Sequence, residues 1–229
     1  ISFIINNYLG GAFCLDPDNL KSGSTPKVRI IDSSQQKGGF RWITPTHCSD
    51  IGYIQTYESI AMPTRNNIES DATLLINRTS RGGKGEYVGI ATFYDFKTYG
   101  KGHHNQGIYR ITGYDRKMLV FITCFMNTAM MRKYCSALCV GSKMKEIKSE
   151  QFLSIPIPKF PDKILDSVYD LFYTDDFDNS VESILSTRLD KLGLFNLSTA
   201  KETLTHHLNS LLDKIIKGLD LETTQTRGL

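Results

Sequence analysis

Residues 78–89, RTSRGGKGEYVG, form the most charged and glycine-rich stretch of the chain. Glycines allow backbone amides to approach a phosphate closely, and Arg78, Arg81 and Lys84 would supply positive charge beside them. The spacing fits neither a Walker A motif nor a dinucleotide fingerprint. We therefore interpret the stretch either as a phosphate-contacting loop or as a solvated β-turn.

A second loop, KTYGKGHHNQG at residues 97–107, mixes lysine with amide and imidazole side chains. Asn and Gln can each make two hydrogen bonds to adenine, and Lys can donate to guanine. His103 and His104 are adjacent, so on a strand their side chains point in opposite directions, and no cysteine or carboxylate cluster completes a metal site around them. The loop therefore predicts base-reading and phosphate-binding side chains, and no metal.

Signals for catalysis on this chain are weak. Asp71, Asp95 and Lys97 loosely fit the acidic-x-Lys arrangement of a magnesium-dependent nuclease, which is kept as an alternative function. The [DN]-P-P-[FYW] tetrapeptide of adenine-N6 methyltransferases is absent, and no glycine-rich loop for S-adenosylmethionine follows a strand. We find neither a Ser/His/Asp order nor a reactive-cysteine context. The sequence therefore predicts a binding protein without chemistry or a cofactor of its own.

The bulk composition is compatible with a nucleic-acid partner. A net charge of +3 and a pI near 8.5 permit nucleic-acid binding without requiring it. Five cysteines at irregular spacing predict reduced structural thiols and a cytoplasmic protein. We recognise no signal peptide, and the apolar run at 118–131 is too short to span a membrane. The chain opens on Ile1 rather than Met, which favours a piece of a longer protein.

The elements that must position these loops are β-like before Pro161. Short apolar runs at 27–32, 40–44, 72–79, 86–93 and 106–112 alternate with Gly, Pro and polar clusters. One helix with a methionine-rich stripe at 118–130 interrupts them, and Trp42 is predicted to be a core residue of its strand. Pro156, Pro158 and Pro161 exclude a helix, so residues 155–160 are predicted to form an edge strand or an extended cover.

After Pro161 the pattern becomes helical. Apolar repeats predict helices over 162–173 and 180–192, the second ended by Gly193. A capping-box pattern at 199–202 predicts that a third helix begins there. The predicted fold class is α+β. A β-rich domain with one internal helix would cover residues 1–161, and a helical hairpin or small bundle would cover 162–229.

Five motifs, in this order, resemble the target recognition domain of type I restriction–modification specificity subunits. They are SGSTP (22–26), GFRWITP (39–45), IESDATLLI (68–76) with the glycine loop that follows it, HNQG (104–107), and GSKMKEI (141–147) continuing to IPIP (155–158). The resemblance implies a reader of double-stranded DNA in a prokaryotic cytoplasm. Within a restriction–modification or epigenetic system, it would direct adenine-N6 methylation by a methyltransferase.

In that family a specificity subunit carries two such domains separated by long helices, whereas only one is present here. A half-subunit that pairs, or the C-terminal recognition domain of a single-chain adenine-N6 methyltransferase, would fit this departure. S-adenosylmethionine would then be bound by the catalytic partner or the missing domain. Residues 162–229 would contact the methyltransferase subunit or domain, or self-associate. A protein-interaction domain that acts through the C-terminal helices is the other alternative.

The resemblance and the loop chemistry together predict the DNA-binding side chains. Lys and Arg on loops would hold phosphates and set the register, while amide, hydroxyl and imidazole groups would read bases. The predicted set is Thr25, Lys27, Arg78, Thr79, Ser80, Arg81, Lys84, Lys97, Lys101, His103, His104, Asn105, Gln106, Ser142, Lys143 and Lys145. No catalytic and no metal-binding residue is predicted.

Overall fold

A computed structural model describes residues 11–25, 40–50, 54, 59–60, 67–76, 78–81, 88–142 and 144–216 of the 229-residue chain. Its strands are β1 (Ala12–Phe13), β2 (Leu20–Ser22), β3 (Phe40–Ile43), β4 (Ser59–Ile60), β5 (Asn67–Ile68), β6 (Ala72–Ile76), β7 (Thr79–Arg81), β8 (Ile90–Tyr94), β9 (Gly102–His104), β10 (Ile108–Ile111), β11 (Met144–Glu146) and β12 (Ile157–Pro158). Its α-helices are α1 (Phe96–Tyr99), α2 (Arg116–Met126), α3 (Ala129–Leu138), α4 (Ser149–Leu153), α5 (Asp162–Phe172), α6 (Val181–Ser186) and α7 (Leu194–Ile216). The mainly antiparallel strands precede most of the helices, so the predicted α+β class is confirmed.

Four strands form an antiparallel sheet in the order β2-β10-β6-β8. Helix α2 packs on this sheet and buries Leu119, Val120 and Ile122. The Thr73 hydroxyl between them donates to the Leu119 carbonyl at 2.7 Å, so a buried polar group on the sheet is satisfied. The apolar runs predicted at 72–79, 86–93 and 106–112 are thus β6, β8 and β10.

A second sheet has the order β4-β3-β9-β5 and is mixed, because β3 and β9 run parallel. Trp42 in β3 is only 1% exposed, which confirms that it is a core residue. Two short ribbons pair β1 with β12 and β7 with β11. The first ribbon confirms the short strand predicted from the prolines, and Pro156 and Pro158 are both buried there.

The single internal helix predicted near 118–130 is divided into α2 and α3. Asp115 and Thr128 are their N-caps, and each accepts the backbone N–H three residues further on. Just before Thr128, Asn127 ends α2 and bonds through its side chain to both backbone groups of Ala91 in β8. The methionine stripe also does not mark one buried face, since Met130 is 46% exposed.

Two compact units divide the chain, Ile1–Asp170 and Leu171–Leu229. The predicted border at Pro161 lies earlier than this division. Most of α5 belongs to the first unit, where the Tyr169 hydroxyl accepts a hydrogen bond from Arg116 Nε at 3.1 Å. This hydrogen bond ties the part of α5 up to Asp170 to the β-rich unit, while Leu171 and Phe172 belong to the second unit.

In the second unit α7 begins at Leu194, so the start predicted at 199–202 is wrong. Gly193 N donates to Thr174 Oγ1 at 2.7 Å, and the Asn196 side chain bonds both backbone groups of Thr174. Thr199 lies inside the helix, where its hydroxyl donates to the Asn196 carbonyl at 3.0 Å. A threonine hydroxyl that bonds backward in this way is not a helix cap.

Helix α6, also in the second unit, is short. It ends at Ser186, and a 3-10 turn at Leu189–Lys191 replaces the rest of the helix predicted over 180–192. Within the described ranges, no helix is long and apolar enough to cross a membrane.

Candidate nucleic-acid interface

The parallel pairing of β3 with β9 brings two turns together. Ile43 lies opposite His104, and Asn105 N donates to the Ile43 carbonyl at 2.9 Å. The turn at 44–47 and the turn at 105–107 therefore follow neighbouring strand ends. A Cβ on Gly107 would lie 3.2 Å from Pro45 Cγ, so the two turns are in contact.

The antiparallel sheet places two more segments beside these turns. Ser22 at the end of β2 lies opposite Tyr109, and Ser24 N donates to the His104 carbonyl at 3.2 Å. On the other side, Arg78 follows β6, and its N–H donates to the Gly107 carbonyl at 2.9 Å. Segments 23–25 and 78–81 thus lie on either side of the turn at 105–107.

The β7–β11 ribbon adds β11 and the residues described just before it, 140–142. Ser80 pairs with Lys145 and Thr79 with Glu146, although about 65 residues separate the strands along the chain. Val140 and Glu146 exchange both backbone hydrogen bonds, at 2.8 and 2.9 Å, which closes the loop at its base. We call these convergent segments, 23–25, 44–47, 78–81, 105–107, and 140–142 with 144–146, the interface edge.

Nine of the predicted residues lie on the interface edge. Thr25, Gln106 and Ser142 are exposed, while Arg78, Asn105 and Lys145 are half-buried. The β7 backbone places Thr79, Ser80 and Arg81 there as well. Lys27, Lys84 and Lys143 lie outside the described residues.

Two predicted lysines lie elsewhere. Lys101 immediately precedes β9 and Lys97 lies in α1, so both are at the opposite end of β9 from Asn105. Four residues of strand separate Lys101 from Asn105 by about 13 Å. Both lysines are exposed, and Lys101 Nζ lies 5.9 Å from the centroid of the Phe40 ring. The fold therefore distributes the predicted cations over two locations.

His103 and His104 are buried, at 1% and 0% exposure, so the prediction that they read bases is wrong for this conformation. The His103 ring stacks on Trp42 at 5.6 Å, and its Nε2 lies 3.0 Å from Ser24 Oγ. Burial is the main reason that the pKa of His103 is lowered. Burial, together with the charges of Arg110 and His103, lowers the pKa of His104 to about 3. Both rings are therefore neutral parts of the core beneath the interface edge.

Asn105 stabilises its own turn. Its Oδ1 accepts the Gly107 N–H at 2.7 Å, and Gly107 is buried. This is the local side-chain-to-backbone bond that Asn commonly makes in turns. Gln106, at the tip of the same turn, is exposed and makes no side-chain hydrogen bond with a described residue. Gln106 rather than Asn105 is therefore the better placed to meet a ligand.

Glu146 is an interface-edge residue that the sequence did not single out. Its Oε1 accepts from Arg78 Nε at 2.7 Å and its Oε2 from Lys148 Nζ at 2.9 Å. The hydrogen bond from Lys148, and then that from Arg78, lowers the pKa of Glu146 despite partial burial. The short motif around it reads as a basic loop, and no local signal pairs Glu146 with an arginine 68 residues away.

The carboxylates of the alternative nuclease site are already bound by an arginine. Arg116 donates through Nη1 to Asp71 and through Nη2 to Asp95 Oδ1, the latter at 2.8 Å. Burial opposes the charged form of Arg116, but Asp95 and then Asp71 raise its pKa above the usual range. Asp95 is fully buried. These contacts tie α2 to the sheet, and the arrangement favours a structural ion-pair cluster over a magnesium site.

Neither a protein-family profile nor a curated protein sequence matches this chain. Among solved structures it is similar to a chain from a study of complex assembly and conformational transition of the type I R-M system. That match has 10% identity and a TM-score of 0.49, and it covers 89% of this chain and 44% of the other. It is also similar to the HsdS subunit from Thermoanaerobacter tengcongensis, with 11% identity and a TM-score of 0.46 over 88% of this chain and 43% of that one. This chain therefore spans less than half the length of either.

Proposed function

We propose that this chain recognises a specific sequence in double-stranded DNA and thereby directs adenine-N6 methylation. The observation that supports the proposal is the interface edge. Segments from five separate parts of the chain, each belonging to a motif that resembles a target recognition domain, meet where strands of two sheets end. Loops held by a rigid scaffold are the usual carriers of binding residues.

The exposed groups of the interface edge have the chemistry of base readout. Gln106 can donate and accept hydrogen bonds together, as the edge of adenine requires, and the hydroxyls of Thr25 and Ser142 can do either. Lys145 adds positive charge for phosphate. A turn tip that combines amide and hydroxyl groups with nearby cations suits DNA better than an apolar ligand.

The distance between the turn at 105–107 and the lysines at the other end of β9 also fits a DNA duplex. Lys101 lies about 13 Å along β9 from Asn105. The major groove is about 12 Å wide. Lys97 and Lys101 would contact a phosphate backbone while the turn at 105–107 enters the groove. The two lysines would then set the register of the protein on the DNA, and the turn would read the bases.

Methylation itself would belong to a partner. We expect an adenine-N6 methyltransferase, as a separate subunit or as another domain of a longer chain, to bind S-adenosylmethionine. Such an enzyme extrudes its target adenine from the duplex, and the recognition domain holds it over the correct site. This chain would thus position the methyltransferase on the DNA, and only the methyltransferase would need the cofactor.

The deciding experiment is a selection from a library of randomised duplexes with the 229-residue chain, followed by anisotropy titrations against the selected site and a scrambled one. We expect one short site to be enriched and binding to weaken with salt. Equal affinity for every duplex would contradict target recognition. Co-expression with a candidate methyltransferase should then direct N6-methyladenine to the selected site, which mass spectrometry of digested DNA measures.

The second unit offers a surface for that partner. Its helices form an open, mostly apolar pocket of about 430 Å³, lined by Ile184, Leu189, Leu197, Ala200, Lys201, Leu204, Thr205 and Leu208. Leu208 and Leu212 are about half exposed on α7. Leu208→Glu should reduce co-purification with the methyltransferase without changing DNA affinity, whereas Asn209→Glu at an exposed neighbouring position should not. Loss of DNA binding in Leu208→Glu would count against a protein-contacting role.

A further inference from the structure

Arg78 is held at four points at the base of the β7–β11 ribbon. Its N–H donates to the Gly107 carbonyl at 2.9 Å, and its carbonyl accepts from Ile147 N at 3.0 Å. Its guanidinium carbon lies 5.5 Å from the centroid of the Tyr109 ring, and its Nε donates to Glu146 Oε1 at 2.7 Å. An arginine already held in one conformation loses little entropy when it binds a ligand.

The two groups that hold the guanidinium are themselves fixed. Tyr109 is 1% exposed, its hydroxyl donates to the Ile147 carbonyl at 3.2 Å, and its ring stacks on Phe152. Glu146 is held through its backbone by Val140 and through its second carboxylate oxygen by Lys148. Side chains locked by such supporting contacts are the means by which a binding group is preorganised.

This arrangement leaves the outer edge of the guanidinium available. Neither Nη1 nor Nη2 of Arg78 hydrogen-bonds to a residue in the described part of the chain, and the side chain is 31% exposed. Two parallel N–H donors match a pair of acceptors in one plane. In DNA that pair is either N7 and O6 of guanine or two phosphate oxygens.

Glu146 favours the base over the phosphate. Its carboxylate is 2.7 Å from Arg78 Nε, so a phosphate bound on the outer edge of the same guanidinium would be repelled at short range. The acceptors of guanine carry no net charge and meet no such repulsion. An arginine whose charge is balanced by a carboxylate is thus suited to reading a neutral base edge.

From these contacts we infer that Arg78 reads a guanine in the major groove, and that Glu146 and Tyr109 are positioning residues for it. The inference rests on the proposed DNA recognition. It assigns to one residue the specificity for one G·C pair of the site. Residues that contact phosphates would contribute affinity without this preference.

The first test needs no protein variant. Each guanine of the selected duplex is replaced in turn by 7-deazaguanine, which lacks the N7 acceptor, and binding of the unaltered chain is titrated. We expect one position at which affinity falls roughly fivefold to tenfold. Arg78→Ala should no longer distinguish guanine from 7-deazaguanine at that position. If no guanine shows an effect that depends on Arg78, the inference is wrong even though the chain selects a site.

The second test separates a base contact from a phosphate contact. If Arg78 reads a base, Arg78→Ala should lose the preference at one base pair and leave the slope of log K against log salt nearly unchanged. If Arg78 instead contacts a phosphate, Arg78→Ala should weaken binding equally on all duplexes and make that slope shallower by about 0.9. The second result would overturn the inference. Glu146→Gln keeps the size of the side chain but removes its charge, and should weaken discrimination at the same base pair while steepening the salt slope. Unchanged discrimination in Glu146→Gln would remove its positioning role. If the unaltered chain prefers no sequence at all, it is the proposed function that fails.

Discussion

At the scale of single residues, burial decides which polar side chains of the interface edge can meet DNA. Three residues of the HNQG motif, His104, Asn105 and Gln106, are predicted to contact DNA, yet His104 is fully buried. Asn105 Oδ1 already accepts the Gly107 N–H. Within the described part of the chain, Gln106 is the residue of this motif whose side-chain amide is exposed and makes no hydrogen bond. Under the proposed function, Gln106 would therefore read a base, while His104, Asn105 and Gly107 form the turn that holds it.

Asn105→Ala should therefore reduce stability, whereas Gln106→Ala should change the preferred DNA sequence. Loss of the Asn105 side chain leaves the buried Gly107 N–H without its acceptor, and we expect a loss of about 1–3 kcal/mol in the free energy of unfolding. Gln106→Ala should leave stability within about 0.5 kcal/mol and relax the preference at one base pair by about 1–3 kcal/mol. Urea unfolding and duplex selection measure the two effects. Equal destabilisation by both changes would place Gln106 among the structural residues.

The buried His104 predicts a dependence of stability on pH. Its folded pKa of about 3 lies below the unfolded value of about 6.5, so the unfolded chain takes up a proton first as the pH falls. The contribution of His104 is therefore complete above pH 6.5 and is lost toward pH 3, by about 2 kcal/mol at pH 5. The lowered pKa of His103 acts in the same direction.

Denaturant unfolding between pH 7 and pH 5 checks this dependence. His104→Phe, which cannot titrate, should show a smaller loss over this interval relative to its own stability at pH 7. His207→Gln changes an exposed histidine of α7 and should follow the unaltered chain. The same pH dependence in His104→Phe and the unaltered chain would contradict a neutral buried His104.

At the scale of elements, side chains rather than backbone pairing protect the edge of a sheet. Strand β8 is the last strand of its sheet, and Asn127 accepts the Ala91 N–H at 2.9 Å and donates to the Ala91 carbonyl at 2.7 Å. Its amide also donates to the Asp50 carbonyl at 2.7 Å. The break between α2 and α3 thus supplies a polar group that satisfies buried backbone groups at the edge of the sheet, as folded proteins require.

Asn127→Ala should consequently destabilise the first unit by about 2–3 kcal/mol, because three hydrogen bonds are lost and two of them satisfy a buried residue. Asn127→Asp should cost at least as much, since it places a negative charge against two carbonyl oxygens. Lys133→Ala, at an exposed position of α3, is the matched control. Urea unfolding followed by circular dichroism measures all three. If Asn127→Ala lowers the free energy of unfolding no more than Lys133→Ala does, water must replace these hydrogen bonds.

At the scale of the whole molecule, the position of the basic residues matters more for DNA binding than the net charge. The net charge is only +3, yet basic residues are placed both on the interface edge and at the far end of β9. A duplex that spans both groups would exchange several counterions for protein cations. Sequence preference and salt dependence would then arise from different parts of the same surface.

Lys101→Ala tests this division. We expect binding to weaken equally on the selected and scrambled duplexes, and the slope of log K against log salt to become shallower by about 0.9 for one lost phosphate contact. Anisotropy titrations between about 50 and 200 mM salt measure the slope. Lys191→Ala, exposed in the second unit, should bind as the unaltered chain does. A change confined to one sequence would instead make Lys101 a base reader.

The sequence by itself determined the α+β class, the core position of Trp42, the proline-bearing strand and the kinds of side chain available for readout. These follow from local pattern, since hydrophobic period and proline geometry act within a few residues. The same local pattern misplaced the start of α7 and joined α2 to α3, because a glycine anchored by Thr174 and an asparagine turned toward β8 involve distant partners.

Only the tertiary structure decided which of the candidate residues can act. It buried His103 and His104, bound Asp71 and Asp95 to Arg116, and placed Glu146 beside Arg78 across 68 residues of chain. The physical reason is that burial and ion pairing depend on which strands become neighbours, and the parallel pairing of β3 with β9 is set by the assembly of the sheet. Residue types thus fixed the available chemistry, and strand pairing selected the side chains that can use it.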